Sequence, residues 1–244
     1  MMRIKFIGTG TMGSTTRANT SILIDNILLD CGMGTVKQME RLGEATKNVK
    51  CLLITHFHAD HFFDIPNLLI GRRIRKECNE KLYIIVPQKG RRKVIDMMKF
   101  SFGDGDDNAY ENIEKKYNIE FIEMCSNETY NIGEYEITLI ELKHGNCTPA
   151  CGYLLEKEAK IIGYTGDTRM DPNLLKMCEK ANYMLVDTTT YNSVDENQHL
   201  SFEEIKTLAE KYIHCKFFSV HRGDYVIPAN GKVVVPNDGD EMMI

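Results

Sequence analysis

An α/β fold is the expectation for this chain, and three observations carry it. Short apolar, β-rich runs alternate with segments of helical periodicity along the 244 residues. Turn-forming residues punctuate the runs, as Asp25-Asn26 does inside SILIDNILLDCG. The runs end repeatedly on residues able to bind metals, namely His56, His144, Asp167 and His221. Strand ends are where loops on an α/β scaffold gather functional groups.

In chain order, RIKFIG (3–8) reads as a strand that ends in a Gly-rich turn, which also accounts for Gly8, Gly10 and Gly13 without invoking a phosphate loop. Residues 21–32 read as two short strands, 35–45 as a helix, and KCLLITH (50–56) as a strand ending on a histidine. Helical periodicity follows Pro66 over 64–76. LYIIVP (82–87) is a strand and 91–100 a helix. Strands follow at 119–124 and 134–144, a hairpin-like pair at 151–156 and 160–167, and a strand at 183–191. A helix at 202–212 and a strand at 215–221 complete the pattern. The acidic stretch FGDGDDNAYEN (102–112) reads as a surface loop or flap. There is no repeat, linker or low-complexity tract.

Hydrophobic content of 43% and charged content of 27% are those of a globular protein, with length enough for one domain or two fused halves. The N-terminus MMRIKFIGTG has no apolar signal core, and no run approaches the ~20 residues needed to cross a bilayer. A cytoplasmic, membrane-free setting is the expectation. The eight cysteines form no CxxC and read as reduced thiols, although Cys147 and Cys151 are close enough to admit a minor metal reading. A net charge of −5 gives no general attraction to nucleic acid.

The densest chemistry is THFHADH (55–61), which holds three of the seven histidines. In an extended run His56 and His58 project the same way, while Asp60 and His61 fall on the turn into the next helix. One such stretch can supply two ligands to one metal and two to a neighbour. Neutral imidazole with carboxylate suits zinc, and also Mn or Fe.

HxHxDH followed by an isolated His, an isolated Asp and a late His resembles the metallo-β-lactamase superfamily. FIGTGTMGSTTRANTS (6–21), LLDCGMGTVKQ (28–38), LYIIVPQKG (82–90), LKHGNCTPACGY (142–153), YTGDT (164–168), QHLS (198–201) and FSVHRGDY (218–225) extend the likeness to the ribonuclease Z-like branch over nearly the whole chain. The resemblance implies a four-layer αββα sandwich over 1–244, its two pseudo-symmetric halves meeting near residue 130. It implies two Zn2+ per chain. His56, His58 and His144 would hold one, Asp60, His61 and His221 the other, with Asp167 bridging. Asp60 and His199 carry the catalytic roles, His199 as the non-ligand histidine that protonates the leaving oxygen. Asp30 would orient ligand histidines, and Tyr191 and Arg169 would line the pocket. His214 reads as a surface residue. A homodimer is also implied.

Three features bear on the substrate. Ribonuclease Z enzymes that process tRNA carry a long arm between the third motif and the bridging Asp, whereas here only 22 residues separate His144 from Asp167 and no Gly-Pro occurs. Those enzymes also have a His-Glu-Ala-Thr segment. Asp187-Thr188-Thr189-Thr190 stands in its place, with Thr188 at the glutamate, so His199 is expected to lack its acidic partner. The chain is acidic, although the basic clusters at 71–76 and 89–93 leave RNA binding as a disfavoured option. The expectation is a compact phosphodiesterase for a small substrate such as a cyclic nucleotide, similar to the anti-Pycsar phosphodiesterases. A tRNA 3′-processing endonuclease and a lactonase or thioesterase are the alternatives.

Overall fold

A computed structural model of the chain describes residues 1–102, 112–192, 198–227 and 231–244. Strands β1 (Arg3–Gly8), β2 (Ser21–Ile24), β3 (Ile27–Leu29), β4 (Cys51–Leu53), β5 (Leu82–Pro87) and β6 (Ile119–Met124) lie side by side in one sheet, and β14 (Glu241–Met243) pairs with the outer edge of β1. The chain changes sheet after Met124. Strands β7 (Thr129–Ile132), β8 (Tyr135–Glu141), β9 (Cys151–Lys157), β10 (Lys160–Tyr164), β11 (Tyr183–Thr188), β12 (Lys216–Arg222) and β13 (Val233–Val234) form the second sheet. Each half begins antiparallel and becomes parallel, from β3 to β6 and from β10 to β13.

Strand alternation assigns the layers. Cys51 and Leu53 of β4 face the other sheet and join Tyr153, Leu155 and Leu185 in the central core. Leu52 points outward and packs with Val36, Leu68 and Val94 of α1 (Thr35–Arg41), α3 (Ile65–Ile74) and α4 (Gly90–Phe102). In the second sheet Leu154, Met184 and Val186 point outward onto α6 (Pro172–Lys180) and α7 (Phe202–Lys211). The result is helix, sheet, sheet, helix, as expected. Two short helices, α2 (Ala59–Phe62) and α5 (Ile113–Tyr117), complete the first half. No helix of the described residues is long and apolar enough to cross a membrane.

Several boundaries differ from the sequence expectation. Helix α1 stops at Arg41 rather than 45, because Gly43 takes φ +77° and turns the chain away. Strand β4 ends at Leu53, three residues before His56, where the Thr55 amide leaves the ladder and donates to the Asp30 carboxylate. Strands β8 and β10 likewise stop three residues before His144 and Asp167. These ligand-type residues therefore sit on loops just beyond strands. His221 instead lies inside β12. It is the extra residue of a bulge, since Asp187 pairs with Val220 and Thr188 with Arg222, and its φ of 52° re-aims the imidazole. Helix α6 was not expected, although Asp171 caps it and Pro172 starts it. The interior of the 102–112 stretch lies outside the described residues.

Gly32 sits where the chain after β3 presses against α2. A Cβ built there would lie 1.7 Å from the carbonyl oxygen of Asp60, a backbone atom that cannot swing aside. Gly32→Ala is therefore expected to cost about 1–3 kcal/mol as overpacking, measured by denaturant unfolding of the metal-free protein. Wild-type stability for that variant would show that the DCG turn and α2 move apart freely.

Candidate metal centre

The loops beyond β4, β8, β10 and the bulge in β12 converge at one end of the sandwich. They bring together His56, His58, His144 and Asp167 as one group, and Asp60, His61, Asp167 and His221 as a second, with the ligand atoms of each group within 4.8 Å of one another. Asp167 belongs to both. Its Oδ2 lies 3.7 Å from His56 Nε2 and 3.7 Å from His144 Nε2. Its Oδ1 lies 3.2 Å from His61 Nε2 and 3.3 Å from His221 Nε2. Asp60 Oδ2 is 3.2 Å from His221 Nε2.

Four of these imidazoles are held by the nitrogen that does not face the centre, which fixes their orientation and leaves Nε2 for a ligand bond. His61 Nδ1 donates to Asp30 Oδ2 at 2.8 Å. His56 Nδ1 meets Thr55 Oγ1 at 3.0 Å, and that hydroxyl donates to Asp30 at 2.9 Å. His144 Nδ1 donates to the Gln198 carbonyl at 2.9 Å. His221 Nδ1 is 3.0 Å from Thr189 Oγ1. His58 alone turns Nδ1 inward, 3.2 Å from His144 Nε2. The centre fits a metal by its own chemistry. His56 Nε2 and Asp167 Oδ1 are buried with no hydrogen-bond partner among the described residues, a costly state that a cation would relieve.

Burial and charge act against each other here. Burial holds His56 well below the ordinary histidine pKa, with charged neighbouring histidines adding to the effect. Burial also disfavours the charged form of His221, but Asp167, Asp187 and Asp60 outweigh it and lift this group to about 10. Burial would raise Asp60, yet hydrogen bonds from His221 and His61 hold its carboxyl far below the usual range.

His199 joins neither of these two groups but forms a third cluster with Asp167, Asp187 and His221, its ligand-type atoms also within 4.8 Å of one another. Its Nδ1 donates to Asp187 Oδ2 at 2.8 Å and lies 3.0 Å from Thr189 Oγ1. This corrects the expectation that the Thr188 position would leave His199 without an acid. The carboxylate comes from Asp187, one residue earlier, where β11 ends. Asp187 also accepts from the amides of Thr168 and Thr189. The sequence reading missed Asp187 and Thr189, although Asp187 is the last residue but one of β11. Burial opposes the charged form of His199, but Asp187 overcomes this and raises its pKa above the ordinary histidine value.

The centre opens into a cavity of about 300 Å³ lined by Met12, His58, Asp60, His144, Gln198 and His199 among others. Tyr191 and Arg169 are not among its lining residues; Tyr191 instead stacks on Phe202 at 5.8 Å. Cys147 and Cys151 are absent from both metal groups, and the Cys151 thiol donates to the Thr55 carbonyl. A larger cavity of about 570 Å³ lies elsewhere, between Lys47, Lys50, Arg75 and Lys76. It has no part in the chemistry, and two of its cations are paired, Lys50 with Glu80 and Arg75 with Glu40 and Glu77. In the basic cluster at 71–76, Arg75 is engaged in this way. Arg72 is buried and donates to the carbonyls of Thr46, Val49 and Glu80.

Two facing seven-stranded sheets with a histidine–aspartate centre at their shared end define a metallo-β-lactamase-fold protein. The chain matches, over residues 2–234, the family model described as "Anti-Pycsar protein Apyc1", and it belongs to that family. It is 25% identical to ribonuclease Z of Pyrococcus abyssi over an alignment covering 100% of this chain and 96% of that protein. With ribonuclease Z of Methanosarcina mazei it shares 31% identity over 64% of this chain, an alignment spanning 48%, about half, of the relative's length. Its fold is similar to that of the metallo-β-lactamase fold protein YhfI from Bacillus subtilis, with a TM-score of 0.78 at 16% identity over 99% of this chain and 98% of that one.

If Asp187 keeps His199 protonated, Asp187→Asn should move the alkaline limb of the kcat–pH profile to lower pH. It should also reduce activity by roughly 10–100-fold, as for partners of metal-site groups. The sign follows from the raised pKa of His199: with Asp187 present the ring stays charged to higher pH. A profile from stopped assays between pH 5 and 10 that leaves the limb in place would remove Asp187 from this role.

Proposed function

We propose that the chain is a phosphodiesterase that uses two zinc ions to hydrolyse a small phosphodiester, with cyclic nucleotides as the substrate class. The observation that carries this reading is the split of the Asp167 carboxylate, one oxygen toward each histidine set. A carboxylate shared between two ligand sets suits a dinuclear clamp on an in-line displacement.

In this reading His56, His58 and His144 would hold one ion and Asp60, His61 and His221 the other, with Asp167 shared between the two sets. Such ions supply Lewis acidity and lower the pKa of water from 15.7 to about 7. The rest falls to the chain's own groups. Asp30, Thr55 and Thr189 keep the histidine rings aimed. His199, charged through Asp187, delivers a proton to the leaving oxygen from its other ring nitrogen, a step contributing about 10²–10⁴-fold.

The size of the substrate is argued from the segment between His144 and Asp167, all of it described. β9 and β10 are joined through Glu158 and Ala159, both in left-handed conformation (φ 51° and 60°), as a two-residue hairpin turn requires. Nothing there projects to grip a long nucleic acid. The cavity of about 300 Å³ is of the order that takes a small ligand. The family's name points to cyclic nucleotides. The full-length similarity to a ribonuclease Z favours a second reading, removal of a tRNA 3′ trailer.

The test is a panel on zinc-loaded protein: 3′,5′- and 2′,3′-cyclic nucleotides, bis(p-nitrophenyl) phosphate, a precursor tRNA with a 3′ trailer, and a lactone. Cleavage of cyclic nucleotides well above the tRNA is expected, and Asp60→Ala should lower it by at least about 10²-fold while the chain stays folded. Efficient trailer removal would transfer the assignment to the ribonuclease reading. Lactone turnover alone would overturn both.

A homodimer is part of this proposal. Ile74 and Phe100, 74% and 92% exposed, present apolar surface on the neighbouring helices α3 and α4. Light scattering should give twice the 28.0 kDa of one chain; a monomeric mass at micromolar concentration would refute it.

A further inference from the structure

We infer that Met12 is a specificity-determining contact for the organic part of the substrate, and that Asp224 is the residue that positions it. The inference rests on the phosphodiesterase reading above and deepens it.

The cavity over the metal centre is walled by imidazoles, carboxylates, Thr189 and Gln198, which suit the anionic end of a phosphodiester. Met12 is the one large apolar side chain among its described lining residues, and it stands 52% exposed at the rim. A thioether is a soft, adaptable surface for the face of a heterocyclic base. A flexible methionine on a loop discriminates only if the loop is held still.

The loop is held by one carboxylate. Asp224, just after the β12 bulge, accepts from Ser14 Oγ at 2.5 Å, from the Thr15 amide at 2.7 Å, from Thr15 Oγ1 at 2.8 Å and from Thr16 Oγ1 at 2.9 Å. Arg17 Nη1 adds a charge-assisted bond at 3.2 Å. Four consecutive residues thus close around a single side chain from the far end of the sequence. On the cavity side, the Thr11 amide donates to the Arg222 carbonyl at 3.1 Å and the Ser14 amide to the Thr11 carbonyl at 3.1 Å. Met12 and Gly13 are left as a short arch between two anchors, over the metal ligands. Asp224 touches neither substrate nor ligands, so its action goes through the arch.

The test uses the full-length zinc-loaded protein and two cyclic esters. One is a 3′,5′-cyclic nucleotide; the other is glycerol 1,2-cyclic phosphate, which lacks a base. Met12→Ala should lower the ratio of kcat/KM for the nucleotide over the glycerol ester by roughly tenfold, through KM rather than kcat, and Met12→Leu should restore it. Asp224→Asn should lower the same ratio. The double variant should fall no further than Met12→Ala alone, because both changes act on one contact. Zinc content should match the unsubstituted protein throughout. Equal loss on both esters, additive effects, or loss of zinc on Asp224→Asn would overturn the inference and make Asp224 a purely structural clasp. Absence of turnover of either ester by the unsubstituted protein would instead sink the phosphodiesterase reading, and this inference with it.

Discussion

The structure turns on one buried carboxylate. Asp30, wholly inaccessible to solvent and in left-handed conformation (φ 55°), lies in the seam between the sheets. It accepts from the Thr55 amide and hydroxyl, from His61 Nδ1 and from the Tyr164 hydroxyl at 2.7–2.9 Å. Those donors come from the loop after β4, from α2 and from β10 in the opposite sheet. A carboxylate so buried is tolerable only with its lone pairs filled. The need to fill them ends the β4 ladder, tilts His61 and, through Thr55, aims His56. The two sheets are therefore joined by the same group that orients two of the histidines. Stability of the seam and geometry of the centre are one constraint.

Much of this was legible in the sequence. The order of strands and the clustering of His56, His58, Asp60 and His61 follow from short-range pattern and spacing. Helix α6 escaped despite its local cap and proline; most of the rest was non-local. β14 is three residues long and exists because the chain's end returns to β1; no periodicity in three residues can announce it. The role of Asp187 was hidden by reading the segment position by position, with Thr188 set against a glutamate. A shift of one residue along β11 turns a side chain to the other face of the sheet, and in space Asp187 is the group that meets His199. The left-handed bulge at His221 was equally invisible, since a histidine inside a strand carries no mark of it.

Electrostatics explains why so many histidines share so few acids. Asp30, Asp60, Asp167 and Asp187 are all buried at this end of the sandwich. Asp167 and Asp30 raise the pKa of His61, and Asp167, Asp187 and Asp60 that of His221, against the opposing effect of burial. His56 is the contrasting case: burial holds its pKa low, and its Nε2 faces Asp167 Oδ2 at 3.7 Å without a hydrogen bond. Protons and metal ions therefore compete for the same carboxylates, and uptake of a metal by such a centre is linked to proton release.

Selectivity then has to come from elements that are not ligands. Several residues of the basic clusters are paired: Arg72 with carbonyls inside the fold, and at the surface Arg75 with Glu40 and Glu77, Arg91 with Glu114 and Arg92 with Asp96. The surfaces that remain near the centre are the arch at Met12–Gly13 and the segment carrying Gln198 and His199. The first is tied down by Asp224 and the second is bonded to His144 through the Gln198 carbonyl. Each wall of the cavity is thus fixed by a bond that also serves the centre or its rim.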